Sequence, residues 1–393
     1  MLLFEFSANG FKRREIMISG IEIFRDKLIS GFDGNTCRVS PSLMQDGKGR
    51  AFVFYTILSL TGADVFLAPE VSCSTDGGAT FSEPRTLKIY EKVENGIRTI
   101  CGVDTTLYHK NTDKWICLGR TTHYANDKHC VMVNGMALTE PYYFFFDPDK
   151  LEFTDIVPLP FPYETSSVVP FGQPIIYEDG TMLLSFYFVA AGDNKGRVMS
   201  ILYSFDGEGL EILKSGTPLI PPEGKHARGY AEPSIARLFD KYYMTIRTDD
   251  TAYLAVSDNG LDFSEPMAWV FDDGEKIESR NTQQRWVRFN DELYLAYTRI
   301  TQYNGHIFRN RAPLFIARFD PERLCLIRES ERVLVPEMGA RLGNFHSLDV
   351  SGNEAWVSVG EWMQSEGRYK DEWKTCVRYG SDNTVWRVRV IKN

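Results

Sequence analysis

A unit made of a strand, a tight polar turn and an apolar strand recurs six times along this chain of 393 residues. The turns lie near residues 47, 112, 179, 240, 290 and 352, at a mean spacing of about 61 residues. A repeat of that length holds four short strands with their loops, which is the size of a β-propeller blade, and a ring of blades protects the sheet edges. The sequence therefore predicts an all-β fold, a six-bladed β-propeller with four antiparallel strands per blade.

The six units need nearly the whole chain, which predicts a single domain over residues 1–393 without an internal linker. No stretch has a sustained amphipathic helical pattern. We expect the last strand, at residues 384–391, to close the ring with N-terminal chain. Residues 1–20 are a candidate peripheral N-terminal extension.

The net charge and the apolar content of the sequence argue against nucleic-acid and membrane partners. The formal net charge of −9 argues against a nucleic-acid partner, because proteins that bind the phosphate backbone carry a basic face. No apolar run is long enough to cross a membrane, and no secretory leader is recognised. We therefore expect no membrane partner and a cytoplasmic localisation.

Metal and cofactor signals are not visible in the sequence. The seven cysteines are scattered without metal-ligand spacing and are interpreted as buried free thiols in a reducing compartment. No glycine-rich phosphate loop, zinc spacing or calcium loop is found. The sequence accordingly predicts no cofactor and no metal site.

The repeat places many charged side chains at one mouth of the predicted propeller. In each unit the first strand begins, and the second strand ends, at the same end of the blade. The residues at those positions are Arg38, Asp104, Arg120, Gln173, Glu232, Arg247, Gln284, Arg285, Arg299, His346 and Glu361. Clustered arginines repel one another unless they hold an anion, and arginine grips a planar carboxylate bidentately. We interpret the mouth as a site for an anionic ligand; a structural network of ion pairs is the alternative.

A second short pattern is Ser-x-Asp-x-Gly-x-x-aromatic at residues 74–81, with a shorter copy at 257–263 and a degraded copy at 204–209. An aspartate that caps backbone N–H groups and a glycine with a positive φ suit a hairpin turn, so we expect a structural role for it. The pattern resembles the Asp-box, or BNR repeat, of the sialidase (neuraminidase) superfamily.

Further motifs extend the resemblance over nearly the whole chain. Arg38-Val-Ser-Pro is similar to the Arg-Ile-Pro motif of sialidases. Glu232-Pro-Ser, with a partner strand that ends in Arg247, is similar to another of their motifs. Arg311 in Arg-Ala-Pro-Leu-Phe matches their late arginine, with Arg309 as a competitor, and Glu361 matches a glutamate that holds the first arginine.

The resemblance implies a sialidase-like six-bladed propeller and a set of residue roles. Arg38, Arg247 and Arg311 would grip a sugar carboxylate, with Glu361 orienting Arg38. The sialidase mechanism uses a tyrosine nucleophile with a carboxylate as its base, and a separate aspartate as acid/base. Glu232 matches the tyrosine's partner, and Asp64 is the candidate acid/base.

The expected tyrosine is replaced in this chain. The stretch that should carry it is Asn344-Phe-His-Ser-Leu348, so His346 or Phe345 stands at its position. A histidine can act as a base near neutral pH. Tyr230, two residues before Glu232, or Tyr303 could enter from a loop.

Three functions remain open on these observations. The first is a probable glycosidase, exo-acting on an acidic sugar, with Glu232, Asp64 and His346 as candidate catalytic residues and a glycan or acidic monosaccharide as substrate. The second is a polysaccharide lyase on uronate-containing glycans, in which His346 or a tyrosine removes a proton. The third is a non-catalytic carbohydrate-binding propeller.

Overall fold

Six antiparallel sheets, each with four principal strands, carry nearly all the regular structure of this computed structural model, which describes residues 20–133, 136–364 and 373–393. The sheets are the blades of a β-propeller, as the repeat predicts. The candidate N-terminal extension lies outside the described residues except for Gly20. No helix within the described part of the chain is long and apolar enough to cross a membrane.

The blades are numbered I to VI in chain order, and their strands are given from the ring axis outwards. Blade I consists of Thr36–Gln45, Ala51–Ser59, Val65–Ser74 and Arg85–Thr86. Blade II consists of Thr105–His109, Lys114–Tyr124, Pro141–Asp147 and the short outer strands Glu152–Phe153 and Val157–Pro158, with Ile97–Cys101 and Glu91–Glu94 extending its sheet. Blade III consists of Thr165–Ile176, Met182–Ala190, Arg197–Phe205 and Leu210–Ser215.

The other three blades follow the same order. Blade IV consists of Ala231–Leu238, Lys241–Arg247, Ala252–Ser257 and Met267–Ala268. Blade V consists of Arg285–Arg288, Leu293–Tyr297, Leu314–Asp320 and the outer strands Cys325–Leu326 and Arg332–Val335. Blade VI consists of Phe345–Ser351, Glu354–Gly360, Val385–Lys392 and Ile21–Ile29. A hairpin of Met132–Val133 and Met136–Ala137, the helix Trp373–Arg378 and the 3-10 turns Phe308–Asn310 and Arg328–Ser330 complete the described elements.

The two ends of the described chain meet in blade VI and close the ring. Ile21–Ile29 pairs antiparallel with Val385–Lys392, with Ile23 opposite Val390. The innermost strand of each blade contacts that of the next, and that of blade VI contacts that of blade I. The predicted closure by the last strand is therefore confirmed.

The hydrophobic core lies between neighbouring blades. One cluster joins blades V and VI through Ile316 and Val357. Another joins blades IV and V through Trp269 and Trp286, whose ring centroids are 5.7 Å apart. Apolar burial of this kind holds each blade against the next, because stability scales with the apolar area removed from water.

The turn between the third and fourth strands is built alike in blades I and IV. Asp76 of blade I accepts hydrogen bonds from the N–H of Thr80 at 2.9 Å and from the hydroxyl of Ser74 at 2.7 Å. In blade IV, Asn259 takes that place and accepts from the N–H of Asp262 at 2.9 Å. These side chains satisfy backbone donors that no neighbouring strand pairs, which stabilises the turn.

Candidate active site

A cavity of about 1060 Å³ lies at the end of the ring where the first strands begin and the second strands end, and all six blades line it. A concave site with a few convergent polar groups is the default position for a ligand. The predicted mouth and this cavity lie at the same end of the propeller.

β-Bulges on three innermost strands shape this end of the ring. The register shifts at residues 39–42 of blade I, 171–175 of blade III and 231–234 of blade IV. Ser40 and Glu232 have a φ of 46° within two of these bulges. A left-handed backbone at a non-glycine residue costs on the order of 1–3 kcal/mol and is found mostly where function requires it. Each bulge changes which side chains face the axis.

Nine of the sequence-predicted site residues line the cavity. They are Asp64, Asp104, Arg120, Glu232, Arg247, Arg285, Arg309, Arg311 and His346. The structure thus brings the three candidate catalytic residues and most of the candidate anion-binding arginines to one site.

Gln173 and Gln284 are not among the residues that line it. The innermost strand of blade III begins at Thr165, so Gln173 lies eight residues into the strand, within the bulge, where its Oε1 accepts from the hydroxyl of Ser347 at 3.3 Å. Gln284 is buried, and its Oε1 accepts from the hydroxyl of Thr245 in blade IV at 3.1 Å. Both side chains join blades to one another.

Arg299 and Tyr230 also lie outside the lining. Arg299 follows the end of its strand, pairs with Glu331 at 2.7 Å and lies over the ring of Phe315. Tyr230 is 3% exposed and packs against His226, with ring centroids 5.7 Å apart. These contacts support neighbouring loops and strands.

Arg38 and Glu361 have partners that differ from those implied by the resemblance. Arg38 Nε donates to Glu70 Oε2 at 2.8 Å, on the third strand of the same blade. Glu361 is buried, and its Oε2 accepts from the backbone N–H groups of Asp382 and Thr384, each at 2.9 Å. Neither residue belongs to the cavity lining.

Positive charge exceeds negative charge among the described side chains that line the cavity. The eight basic ones are Arg120, Lys128, Arg228, Arg247, Arg285, Arg309, Arg311 and Arg341. The four acidic ones are Asp64, Asp104, Glu232 and Asp249. Three ion pairs use three of these carboxylates: Arg120 with Asp104 at 2.5 Å, Arg228 with Asp249 at 2.8 Å, and Arg247 with Glu232.

Arg247 and Arg311 are anchored side by side by one residue, Asn281. Arg247 Nε donates to the side-chain Oδ1 of Asn281 at 2.6 Å, and Arg311 Nη2 donates to its backbone carbonyl. Burial, followed by the charges of Arg247, Arg341 and Arg309, lowers the pKa of Arg311 well below its usual range. Although burial opposes it, Arg247 holds the pKa of Glu232 below its usual range, so the carboxyl is ionised. The cavity therefore holds more arginine charge than its carboxylates neutralise, and Asn281 fixes the positions of Arg247 and Arg311.

His346 lies beside Arg285 in the cavity. Burial and then the Arg285 guanidinium lower the pKa of His346 well below its usual range, so its imidazole is neutral. Arg285 is 1% exposed, its Nη2 has no hydrogen-bond partner among the described residues, and burial lowers its pKa to about 10. Its Nε donates to Gln283 Oε1 at 2.9 Å, but no described carboxylate forms an ion pair with it. A buried cation without an ion pair is destabilising unless a ligand supplies the missing charge.

Tyr187 and Arg341 are among the cavity residues that the sequence analysis missed. Tyr187 lies near the end of the second strand of blade III, where the charges of Arg120 and Glu232 act on it, and burial raises its pKa to about 12. Arg341 precedes blade VI in a segment without a strand pattern. The strand-end rule does not select Tyr187, which lies three residues before its strand ends at Ala190, and it offers no signal for Arg341.

No group of three or more histidine, cysteine, aspartate or glutamate side chains suited to a metal ion exists within the described ranges.

Solved sialidase structures share this fold. A protein of unknown function from Dyadobacter fermentans matches with a TM-score of 0.61 and 13% identity, over 96% of this chain and 100% of that one. Trypanosoma rangeli sialidase matches with a TM-score of 0.59 and 13% identity, over 94% of this chain and 59% of that one. A leech intramolecular trans-sialidase matches with a TM-score of 0.59 and 12% identity, over 86% of this chain and 67% of that one.

At these low identities the matches show the fold alone. At the level of the fold they confirm the resemblance drawn from the sequence motifs: the chain is a divergent sialidase-like propeller. No family model matches the sequence, and the search of curated proteins found no match.

Proposed function

We propose that this chain is a glycoside hydrolase that removes an acidic sugar from the end of a glycan. The observation that carries the proposal is the surplus of arginines over carboxylates in the lining of one cavity, in which Arg285, Arg311 and Arg341 are buried. Mutual repulsion of these positive charges destabilises the protein without ligand, and a bound anion offsets that repulsion. A sugar carboxylate has the planar shape that guanidinium groups bind best.

Arg247 and Arg311 are the proposed carboxylate clamp. Because Asn281 fixes both guanidinium groups, their remaining N–H donors need no reorganisation before binding. Arg38 was expected to be the third member, but it is paired with Glu70 and does not line the cavity. The clamp is therefore proposed without it.

The two candidate catalytic carboxylates lie on opposite sides of the ring. Asp64 belongs to blade I and Glu232 to blade IV, three blades away in a six-bladed ring. A sugar seated between them would have one carboxyl group on each side, as glycosidic cleavage needs. Asp64, as general acid, would donate a proton to the leaving oxygen as the glycosidic bond breaks, while water supplies the new oxygen and loses a proton to the base on the opposite side.

Glu232 is the proposed base on that opposite side. His346 is neutral and can accept a hydrogen bond from water or from the sugar, but taking a proton would create a buried cation beside the Arg285 guanidinium. Tyr187 is the alternative nucleophile, since its phenol lies in the cavity within the field of Glu232. In that case Glu232 would take the phenol proton.

A glycan-release screen tests the proposal. The purified protein would be given fluorogenic sialyl, uronyl and neutral glycosides, alongside Asp64→Asn, Glu232→Gln, His346→Gln and Tyr187→Phe. Asp249→Asn is the matched control, because Asp249 also lines the cavity but is paired with Arg228 near the solvent.

We expect the protein to release the fluorophore from acidic glycosides alone. This activity should be lost in Asp64→Asn and Glu232→Gln and kept in Asp249→Asn. Loss in Tyr187→Phe equal to that in Glu232→Gln would identify the phenol as nucleophile. Release of neutral sugars would contradict the proposal. An unsaturated, ultraviolet-absorbing product would establish the lyase, and binding of acidic sugars without turnover would establish a binding propeller.

A further inference from the structure

Arg341 lines the cavity with a side chain held firmly in place. Its residue is 5% exposed, and its Nε has no hydrogen-bond partner among the described residues. The Nη2 group donates to Gln364 Oε1 at 3.1 Å, and Trp362 Nε1 donates to the same oxygen at 2.8 Å. The guanidinium lies 4.3 Å from the ring centroid of Trp362 and 5.0 Å from that of Phe308. A buried, oriented donor is thus left unused at the cavity wall.

No described side chain neutralises this cation. Burial raises the pKa of the neighbouring Cys37 thiol to about 12, so that group is uncharged. Asp64 is the carboxylate whose charge acts on Arg341, yet the two form no ion pair in the described structure. An internal salt bridge therefore does not account for the burial of Arg341, whereas a ligand anion would.

Arg341 is linked to the loop that carries Asp64. Gln364, whose Oε1 accepts from Arg341, donates through its Nε2 to the carbonyl of Gly62 at 3.0 Å, two residues before Asp64. Arg247, by contrast, pairs with Glu232 in blade IV. This step rests on the proposed function, in which Asp64 protonates the leaving oxygen. The side of the cavity next to Asp64 then receives the part of the substrate that leaves.

We propose that Arg341 forms a second anion-binding subsite, beside Asp64, for an acidic group on the leaving portion of the substrate. The substrate class that follows is a glycan in which an acidic sugar is linked to another acidic residue. The aromatic rings of Trp362 and Phe308 shield the guanidinium from water and so strengthen its interaction with that second anion.

Calorimetric binding to the Asp64→Asn protein, in which turnover is blocked, tests the subsite. The first probes are free sialic acid, glucuronic acid and galacturonic acid. The second probes pair one acidic sugar with a neutral or an acidic leaving portion: sialyllactose against disialic acid, and galacturonyl-xylose against digalacturonic acid. The same series is repeated with Arg341→Gln, with Arg341→Lys and with the control Arg323→Gln, which removes an exposed arginine that pairs with Asp272 outside the cavity.

We expect the diacidic probe to bind more tightly than its neutral counterpart, and Arg341→Gln to remove about tenfold to a hundredfold of that preference. Arg341→Lys should restore part of it, and Arg323→Gln should leave it in place. A melting curve of each variant shows whether it is folded.

Two outcomes overturn the inference while leaving the proposed function intact. One is equal binding of neutral and acidic leaving portions to the parent protein. The other is an equal loss of free acid and diacid in Arg341→Gln, which would place Arg341 in the carboxylate clamp instead. Absence of binding by every acidic probe would overturn the proposed function itself.

Discussion

Arg247 and Glu232 form a mostly buried ion pair in the cavity, with Nη1 of the arginine donating to Oε1 of the carboxylate. The bulge of blade IV makes this pair possible. Ala231 lies directly opposite Arg247 in the sheet register, and the shift that follows it turns Glu232 towards the arginine through a φ of 46°. A strand without the bulge would alternate its side chains regularly and present a different residue to Arg247.

Replacing Glu232 by Gln is expected to abolish turnover and also to lower stability. Removing one partner of a buried pair leaves an uncompensated charge and costs about 3–5 kcal/mol in the free energy of unfolding. Loss of a general base costs at least about a hundredfold in kcat/KM. Urea unfolding and initial-rate kinetics measure the two effects. Asp249→Asn, at the more exposed pair with Arg228, should change both far less; equal effects of the two variants would contradict the role given to Glu232.

Asp64 as general acid predicts a dependence on the leaving group. Asp64→Asn removes the proton donor, so substrates with poor leaving groups should lose activity by about 10²–10⁴-fold. Substrates with an acidic phenol as leaving group need little protonation and should be cleaved at a rate closer to that of the parent protein. A plot of log kcat/KM against leaving-group pKa measures this for both proteins. The same proportional loss across the series would exclude Asp64 from the acid role.

The neutral state of His346 predicts a pH dependence of stability. Its pKa in the folded protein lies well below the ordinary value of 6.5, so the unfolded chain takes up a proton that the folded chain refuses as the pH falls below about 6.5. The free energy of unfolding should then decrease by about 1.4 kcal/mol per pH unit from this residue until the lowered pKa is reached. Urea unfolding between pH 7 and pH 5 measures the slope.

In His346→Gln this part of the slope should disappear. His129→Gln is the matched control, because His129 also lines the cavity but is exposed to solvent. If His346→Gln and the parent protein have the same dependence of unfolding free energy on pH, His346 is protonated in the folded state. That result would contradict a neutral His346 in the cavity.

The under-neutralised arginine cluster predicts a selective stabilisation by acidic sugars. A ligand that binds only the folded state raises the free energy of unfolding by about 2.7 kcal/mol at a hundred times its Kd. Sialic or uronic acids should therefore raise the melting temperature, while neutral sugars at the same concentration and ionic strength should not. Arg311→Gln removes part of the clamp and should remove most of that rise. A rise that neutral sugars produce equally would show that charge does not select the ligand.

The ring itself could be predicted from the sequence because its signals are local and repeated. An apolar strand after a polar turn such as Asp179-Gly180 is visible in the residues alone, and six copies at one spacing specify a propeller. Pairing of the two chain ends follows from the need to complete the last blade. These features depend on alternation and turn chemistry, which a sequence carries directly.

The cavity could be predicted only in part, because its shape depends on departures from that regularity. Nothing in the residue pattern marks Ser40 or Glu232 as left-handed, so the bulges that decide which side chains face the axis could not be located. Gln173 was placed at the mouth because its strand was taken to begin there, whereas it begins at Thr165. Arg341 reaches the cavity from an irregular segment, and such positions follow from tertiary packing rather than from strand periodicity.

The contact between Gly78 and blade VI predicts a matched pair of glycine variants. Gly78 has a φ of +86°; a Cβ there would collide with the ring of Trp356, and its carbonyl accepts from Arg387. Gly77 has a φ of +72°, and a Cβ there would meet no atom within 4 Å. Gly77→Ala should therefore cost only the left-handed backbone penalty of about 1–2 kcal/mol, whereas Gly78→Ala adds about 1–3 kcal/mol of overpacking.

Chemical denaturation of the two variants under the same conditions measures the difference. Since this turn of blade I packs on the blade that joins the two chain ends, Gly78→Ala should also raise the rate at which blade VI strands exchange their amide protons. If the two variants have equal unfolding free energies, Trp356 can move aside without loss, and the contact between blades I and VI does not stabilise the closed ring.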